Sequence, residues 1–214
     1  MLKILNNREF DKIAIIFDSG VKNFRHDIYS EYKANRVTVP LDLINQLTLV
    51  DDVAKILSIP SFKVIGFEAD DIIASIAVKA YSEGFSVEIV SSDKDLMQLV
   101  NDRIYLFDPS KDKVFMCEDV KEKFGVPPKM LTDLLTLTGD ASDNIPGVHG
   151  IGPKTAAKLI NQFGSIDSII SNADKILNAK QRESILGSVD KILISRDLVT
   201  LCLDVPIKVN IDDL

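Results

Sequence analysis

The chain has no tryptophan and only two cysteines and two histidines in 214 residues. Cys117 and Cys202 lie far apart and match no metal-ligand spacing, so neither a thiolate metal site nor a disulfide framework organises the fold. Two reduced structural thiols are expected. His26 and His149 have no second His or Cys at ligand spacing, and His149 reads as a surface turn residue. No apolar run approaches the ~18–20 residues of a membrane-spanning helix. The opening residues, Met1 to Glu9, lack the apolar core of an export signal. A cytoplasmic protein with no membrane partner is expected. Positive charge is also short: the net charge is −7, against a surface that is basic throughout. A local basic face remains compatible with a polyanionic partner, and a metal site would absorb much of the negative charge. There is no internal repeat and no low-complexity linker. At 46% hydrophobic, the chain can bury a real core, in one domain or one with a subdomain.

Periodicity gives an alternating order of elements. Ile13 to Phe17 is a short apolar run that predicts a buried strand, closed by Asp18-Ser19-Gly20. Leu41 to Leu57 predicts a helix opened by Pro40, with Leu43, Leu47, Val50, Val53, Ala54 and Leu57 inward. A short extended piece spans 61–66. A second amphipathic helix spans 69–83, capped by Gly84. Val87 to Val90 reads as a strand and Lys94 to Val100 as helical. Strands at 103–107 and 113–116 flank the Asp108-Pro109-Ser110 turn. From Cys117 the pattern is helical. The fold class is therefore α/β, a mostly parallel sheet over 1–116 followed by a helical subdomain over 117–214.

Eight carboxylates mark the ends of these elements: Asp18, Glu68, Asp70, Asp71, Asp93, Asp95, Asp140 and Asp143. Asp18 and Asp93 each follow a predicted parallel strand, where open α/β sheets place their sites. Glu68, Asp70 and Asp71 open a helix, whose dipole tolerates negative charge. So many acids cannot all ionise close together without cations. Two divalent ions about 3.5–4 Å apart would neutralise them. Oxygen-only ligands favour Mg²⁺ or Mn²⁺.

Next comes Gly147-Val148-His149-Gly150-Ile151-Gly152, a glycine hairpin between helical segments. Glycines permit tight turns and let a phosphate approach the backbone. The N–H groups of the following helix point at the anion. Lys154 and Lys158 share a face and Thr155 can donate a hydroxyl bond. Upstream, Arg25, Lys33 and Arg36 form a basic stretch. The latter two share a face if it is helical. They would reach over the metal rim to stabilise charge on a scissile phosphate. Paired metals beside a phosphate grip point to phosphodiester hydrolysis.

The residues Phe17-Asp18, Phe24-Arg25-His26, Tyr32-Lys33-Ala34-Asn35-Arg36, Gly66-Phe67-Glu68-Ala69-Asp70-Asp71, Ser92-Asp93-Lys94-Asp95 and Thr138 to Gly152 occur in one order. Together they resemble the 5′→3′ exonuclease domain of bacterial DNA polymerase I, of the flap endonuclease family. The likeness runs from near residue 10 to the C-terminus. It implies a PIN-like core with a helix-hairpin-helix subdomain and cleavage at a 5′ end or 5′ flap of DNA. It further implies that Asp18, Glu68 and Asp70 hold a first metal. Asp93, Asp95 and Asp140 would hold a second, with Asp71 and Asp143 acting through water. Lys33 and Arg36 would match the basic pair of a helical arch threaded by the 5′ strand. Residues 147–158 would grip duplex DNA, with a K⁺ ion on the hairpin carbonyls. The family's roles are primer removal and nick repair. A separate polymerase polypeptide would be the partner of a monomeric nuclease.

The chain departs from the family at its start. The family's first strand, ending in an aspartate that joins the first metal, has no counterpart here. The strands beside it are expected to show unpaired edges. An alternative function follows: a DNA-junction binder that does not cut. A third reading, an RNA nuclease of the PIN type, shares the acidic rim but not the glycine hairpin.

Overall fold

A computed structural model describes residues 2–37 and 40–214. In chain order it holds α1 (Leu2–Asn7), β1 (Ile15–Ile16), α2 (Phe24–Ile28), α3 (Leu41–Ile56), β2 (Ser61–Phe62), α4 (Ala69–Ser82) and β3 (Val87–Val90). Then follow β4 (Ile104–Asp108), β5 (Lys113–Phe115), α5 (Cys117–Phe124), α6 (Leu131–Thr138), α7 (Pro153–Phe163), α8 (Ile166–Ser171), α9 (Ala179–Leu186) and α10 (Val189–Val199). Residues Asp95–Leu99, expected as helix, form a tighter 3₁₀ segment.

The expected parallel sheet is present in two pieces. β1 pairs in parallel with β2, Ile15 opposite Ser61. β3 pairs in parallel with β4, Val87 opposite Ile104, and β4 turns back antiparallel onto β5, Leu106 opposite Phe115. Among the described residues no strand pairs with the second edge of β1 or of β3. α4 packs on both β1 and β3 and so spans the two pieces. Its buried face carries Ile72, Ala74, Ala77 and Ala80, and Gly84, at φ +100°, turns the chain just beyond its end. Arg8, in the segment after α1, binds Glu88 of β3 and lies 3.7 Å from the Phe107 ring centroid.

α3 departs from expectation. Leu43, Val50, Val53 and Leu57 are exposed, with only Ala54 buried, and the Leu47 side chain lies outside the described residues. The reason is placement: among the described residues α3 touches chiefly the two-residue strand β2 rather than the main core.

The core instead runs from the second sheet into the helices. Leu96, Ile104 and Leu106 share one buried cluster with Leu131, Leu134 and Leu137 of α6 and with Ile160, Ile166 and Ile192. α6 packs on α7 and α10, and α10 reaches back to α2. A fully buried Leu or Ile contributes about 1.5–3 kcal/mol, so this continuous core makes one body of sheet and helices.

Candidate metal and nucleic-acid site

Each acid is placed by the end of an element. Asp18 follows β1, and its Oδ1 accepts the Ala69 N–H at 2.8 Å, capping α4. Glu68 is the N-cap residue of α4, and Asp70 lies in the first turn. Asp93 follows β3, and its Oδ1 accepts the Asp95 N–H at 2.9 Å. Asp140 and Asp143 sit in a loop after α6 that is closed by paired hydrogen bonds of 3.0 and 2.8 Å between Asp140 and Ile145.

These groups form one electrostatic cluster. Asp70 is pushed up to about 7 by burial first, then by Asp93, Glu68 and Asp18. Asp95 is also pushed up to about 7, by burial and by Asp93, with Asp140 and Asp143 adding repulsion against the pull of Lys94. Against the effect of burial, Asp140 is held down at about 2 by Lys94 and Ser142. Asp93, Asp95, Asp140 and Asp143 line one surface cleft of about 360 Å³.

Cations of the chain already sit on this rim. Lys33 binds Glu68 and stands 3.6 Å from Asp143. Arg36 donates to Asp143 Oδ1 at 2.5 Å, and Lys94 binds Asp140. Among the described residues no three His, Cys, Asp or Glu side chains are gathered as a ready coordination shell. The donors nonetheless fit hard divalent ions. They are all oxygens, and Asp95 Oδ1 is buried with no hydrogen-bond partner.

Two expected site residues have other work. Arg25, expected on DNA, is 2% exposed, and Asp71, expected near the metals, is 0% exposed. They form a bidentate pair, Nη1 to Oδ2 at 2.7 Å and Nη2 to Oδ1 at 2.8 Å. Arg25 also donates to the carbonyls of Leu198 and Thr200, and the Cys202 N–H donates to Asp71 Oδ1. The pair ties α2 and α4 to the end of α10. It faces no solvent and has no oxygen to spare.

The basic stretch is not one helix. α2 ends at Ile28 and residues 30–35 form turns, with Lys33 at φ +56°. Lys33 and Arg36 still converge because the turn is docked on the acidic loop. The Lys33 N–H donates to the Asp143 carbonyl at 2.9 Å, Asn35 to Ala141 and Asn144 to Glu31. Sequence reasoning missed Tyr32. It is 3% exposed, and its hydroxyl donates to Glu68 at 3.0 Å and lies 3.4 Å from Asp143. The signal was its place beside Lys33. Lys94 was missed too, although it stands between two predicted ligands.

The hairpin divides by glycine. Gly147, expected to face phosphate, is buried at φ +58°. A Cβ there would stand 2.5 Å from the Gly139 nitrogen, so this glycine serves backbone packing. Gly150, at φ +76°, and Gly152 are exposed and open to approach. Gly152 is the N-cap of α7, and Lys154 and Lys158 are exposed on that helix with Thr155 half-buried between them.

The comparisons agree with this geometry. The 5′-3′ exonuclease N-terminal resolvase-like domain matches residues 1–125, and the 5′-3′ exonuclease C-terminal SAM fold matches 126–214. The chain is 48% identical to DNA polymerase I of Rhizobium leguminosarum over 94% of its own length and 20% of that protein. It thus spans about a fifth of that relative. It is 39% identical to the 5′-3′ exonuclease of Aquifex aeolicus over 94% of this chain and 68% of that one. The T5 5′-exonuclease, solved with bound divalent zinc, superposes with a TM-score of 0.80 at 25% identity, covering 91% of this chain and 76% of that one. The acidic rim, the glycine hairpin and these matches across the whole chain place it in the 5′-3′ exonuclease family.

Proposed function

We propose that this chain hydrolyses phosphodiesters at 5′ ends and 5′ flaps of DNA, using two Mg²⁺ or Mn²⁺ ions on the acidic rim. The observation that carries the reading is the unpartnered, buried Asp95 Oδ1 in a cluster where burial, and then the repulsion of neighbouring carboxylates, raises Asp70 and Asp95 to about 7. Bound divalent cations favour the ionised form of such groups. Asp18, Glu68 and Asp70 would hold one ion and Asp93, Asp95 and Asp140 the other, with Asp143 acting through water. The ions would supply an activated water and neutralise charge on the leaving oxygen.

The chain's own residues do the rest. Tyr32 and Lys33 hold Glu68 in register with the acidic loop. Lys33 and Arg36 place two cations at the rim, where charge builds on a phosphate. Gly150, Gly152 and the N-terminal N–H groups of α7 would receive duplex phosphates without reading bases, helped by Lys154, Thr155 and Lys158. A K⁺ ion on the hairpin carbonyls belongs to the same reading. So do a role in primer removal and repair beside a separate polymerase polypeptide, and a monomer in the cytoplasm.

Cleavage of a 5′-flap DNA by purified protein in Mg²⁺ tests this. Asp93→Ala and Asp140→Ala are each expected to lower the rate at least about hundredfold. Absence of cleavage by the unmodified chain at any Mg²⁺ or Mn²⁺ level refutes it. One observation favours a second reading, a junction binder without turnover: among the described residues the carboxylates are held by Lys33, Arg36 and Lys94 rather than gathered as a shell. Flap binding without cleavage, weakened by Lys154→Ala and by salt, would establish that reading instead.

A further inference from the structure

The acidic cleft is also lined by two lysines that no part of the proposed chemistry uses. Lys111 lies in the β4–β5 turn and Lys123 near the end of α5, and both line the cleft that holds Asp93, Asp95 and Asp140. Their settings differ. Lys111 is anchored: its ammonium binds Asp108 Oδ2 at 2.5 Å. Asp108 is only 1% exposed, and its Oδ1 accepts bonds from the Ser92 and Ser110 hydroxyls at 2.8 and 2.6 Å. A buried carboxylate fixed from both sides therefore sets where Lys111 stands.

Lys123 has no such partner. Among the described residues no carboxylate lies within 4 Å of its ammonium. The group rests 4.9 Å from the Phe124 ring centroid, 5.1 Å from that of Phe115 and 3.7 Å from the Met97 sulfur. Burial, and then the charge of Lys111, push its pKa down against the pull of Asp108, with Lys94 adding to the push. Lys111 and Lys94 are already paired with Asp108 and Asp140, so the ammonium of Lys123 on its apolar ledge is the one whose burial an anion would relieve. Ammonium groups are compact point charges suited to phosphate. The carboxylates of the same cleft disfavour any anion until cations intervene, and a strand whose scissile phosphate would lie on those cations would carry its next phosphate alongside.

We propose that Lys111 and Lys123 form a phosphate subsite that holds the phosphate next to the scissile one. The proposal rests on the nuclease reading and names a contact of the same site. The phosphate is either the 5′-terminal group of the strand or an internal diester, and the experiment separates these sources. Binding of a 5′-flap DNA in Ca²⁺ would be measured against salt for the unmodified protein, Lys111→Met, Lys123→Met and Lys123→Arg. At Lys123 methionine keeps the stem over Phe115 and Phe124 and removes the charge, and at Lys111 it also removes the partner of the buried Asp108. Each methionine variant is expected to bind about tenfold more weakly, with the slope of log K against log salt reduced by about 0.7. Lys123→Arg is expected to restore both.

A loss confined to 5′-phosphorylated strands assigns the terminal phosphate, and an equal loss with a 5′-hydroxyl assigns an internal one. Unchanged affinity and slope in both methionine variants, from a protein that cuts normally, overturns the subsite alone. An unmodified protein that binds without cutting, and loses binding in Lys123→Met, overturns the catalytic reading and upholds the subsite.

Discussion

Replacing Asp71 with alanine removes half of a fully buried ion pair, and the structure fixes what is left behind. Arg25 would keep its bonds to the Leu198 and Thr200 carbonyls at 2.8 and 3.0 Å, and Glu68 at 3.5 Å, but lose its bidentate, fully buried countercharge. A buried charge stranded in this way costs about 3–5 kcal/mol. The Cys202 and Glu68 N–H groups, at 2.9 and 3.2 Å from Asp71, also lose their acceptor. These add about 1 kcal/mol between them, since both are only partly enclosed. The expected loss of about 4–6 kcal/mol is a third or more of a typical domain's stability. At about 2–4 °C per kcal/mol for a chain of this size, the midpoint should fall by about 10–20 °C. Thermal melts followed by far-UV circular dichroism in chelator would read it. The double variant Arg25→Met/Asp71→Leu should recover most of the loss, because neither charge is then buried alone. A single Asp71→Ala variant melting within about 3 °C of the unmodified protein would refute the reasoning and return Asp71 to the solvated acids.

Asp70 and Asp95 bind protons more tightly folded than unfolded, being raised from 3.8 to about 7. The stability they give is full below about pH 4 and is lost as pH passes through about 7. The melting point in chelator should therefore fall between about pH 4 and 7, and Asp95→Asn should flatten that fall. Asp140, held at about 2, titrates below this window. Gly147→Ala should destabilise by at least about 2 kcal/mol, combining a positive φ with backbone overlap. Gly150→Ala meets open space and should cost only about 1 kcal/mol, by the same denaturant titration. Lys154→Ala and Lys158→Ala should each reduce the salt slope of duplex binding by about 0.9. Tyr32→Phe keeps the ring buried and should weaken Mg²⁺ binding, read by calorimetry, about tenfold by freeing Glu68.

Much of this site could be read along the chain because its acids sit where periodic segments stop. Asp18 and Asp93 follow strands, and Glu68 opens a helix, so topology alone sends them to one rim. What could not be read is burial. Asp71 is one residue from Asp70 in sequence, yet a helix turns them to different surroundings, one inward to Arg25 and one toward Asp93. Arg25 looked like Lys33 and Arg36 because sequence shows charge and not the carbonyls of Leu198 and Thr200, more than 170 residues away. The apolar stripe of α3 obeyed helical spacing, but spacing names a face without saying what lies opposite. Lys33 and Arg36 converge through a docked turn, which depends on a long-range bond to Asp143 that no local pattern encodes.

The segment from Gly139 to Gly152 joins two tasks in one rigid piece. Asp140 and Ile145 close its loop, Gly147 locks against Gly139, the Val148 N–H donates to the Leu137 carbonyl, and α7 starts at once afterwards. Asp140, Asp143 and the helix that would clasp duplex DNA are therefore joined by a short, braced span. In the proposed nuclease, a span of fixed length between clasp and blade would work as a ruler: the position of the cut would be measured from the duplex by protein backbone, whatever bases lie between.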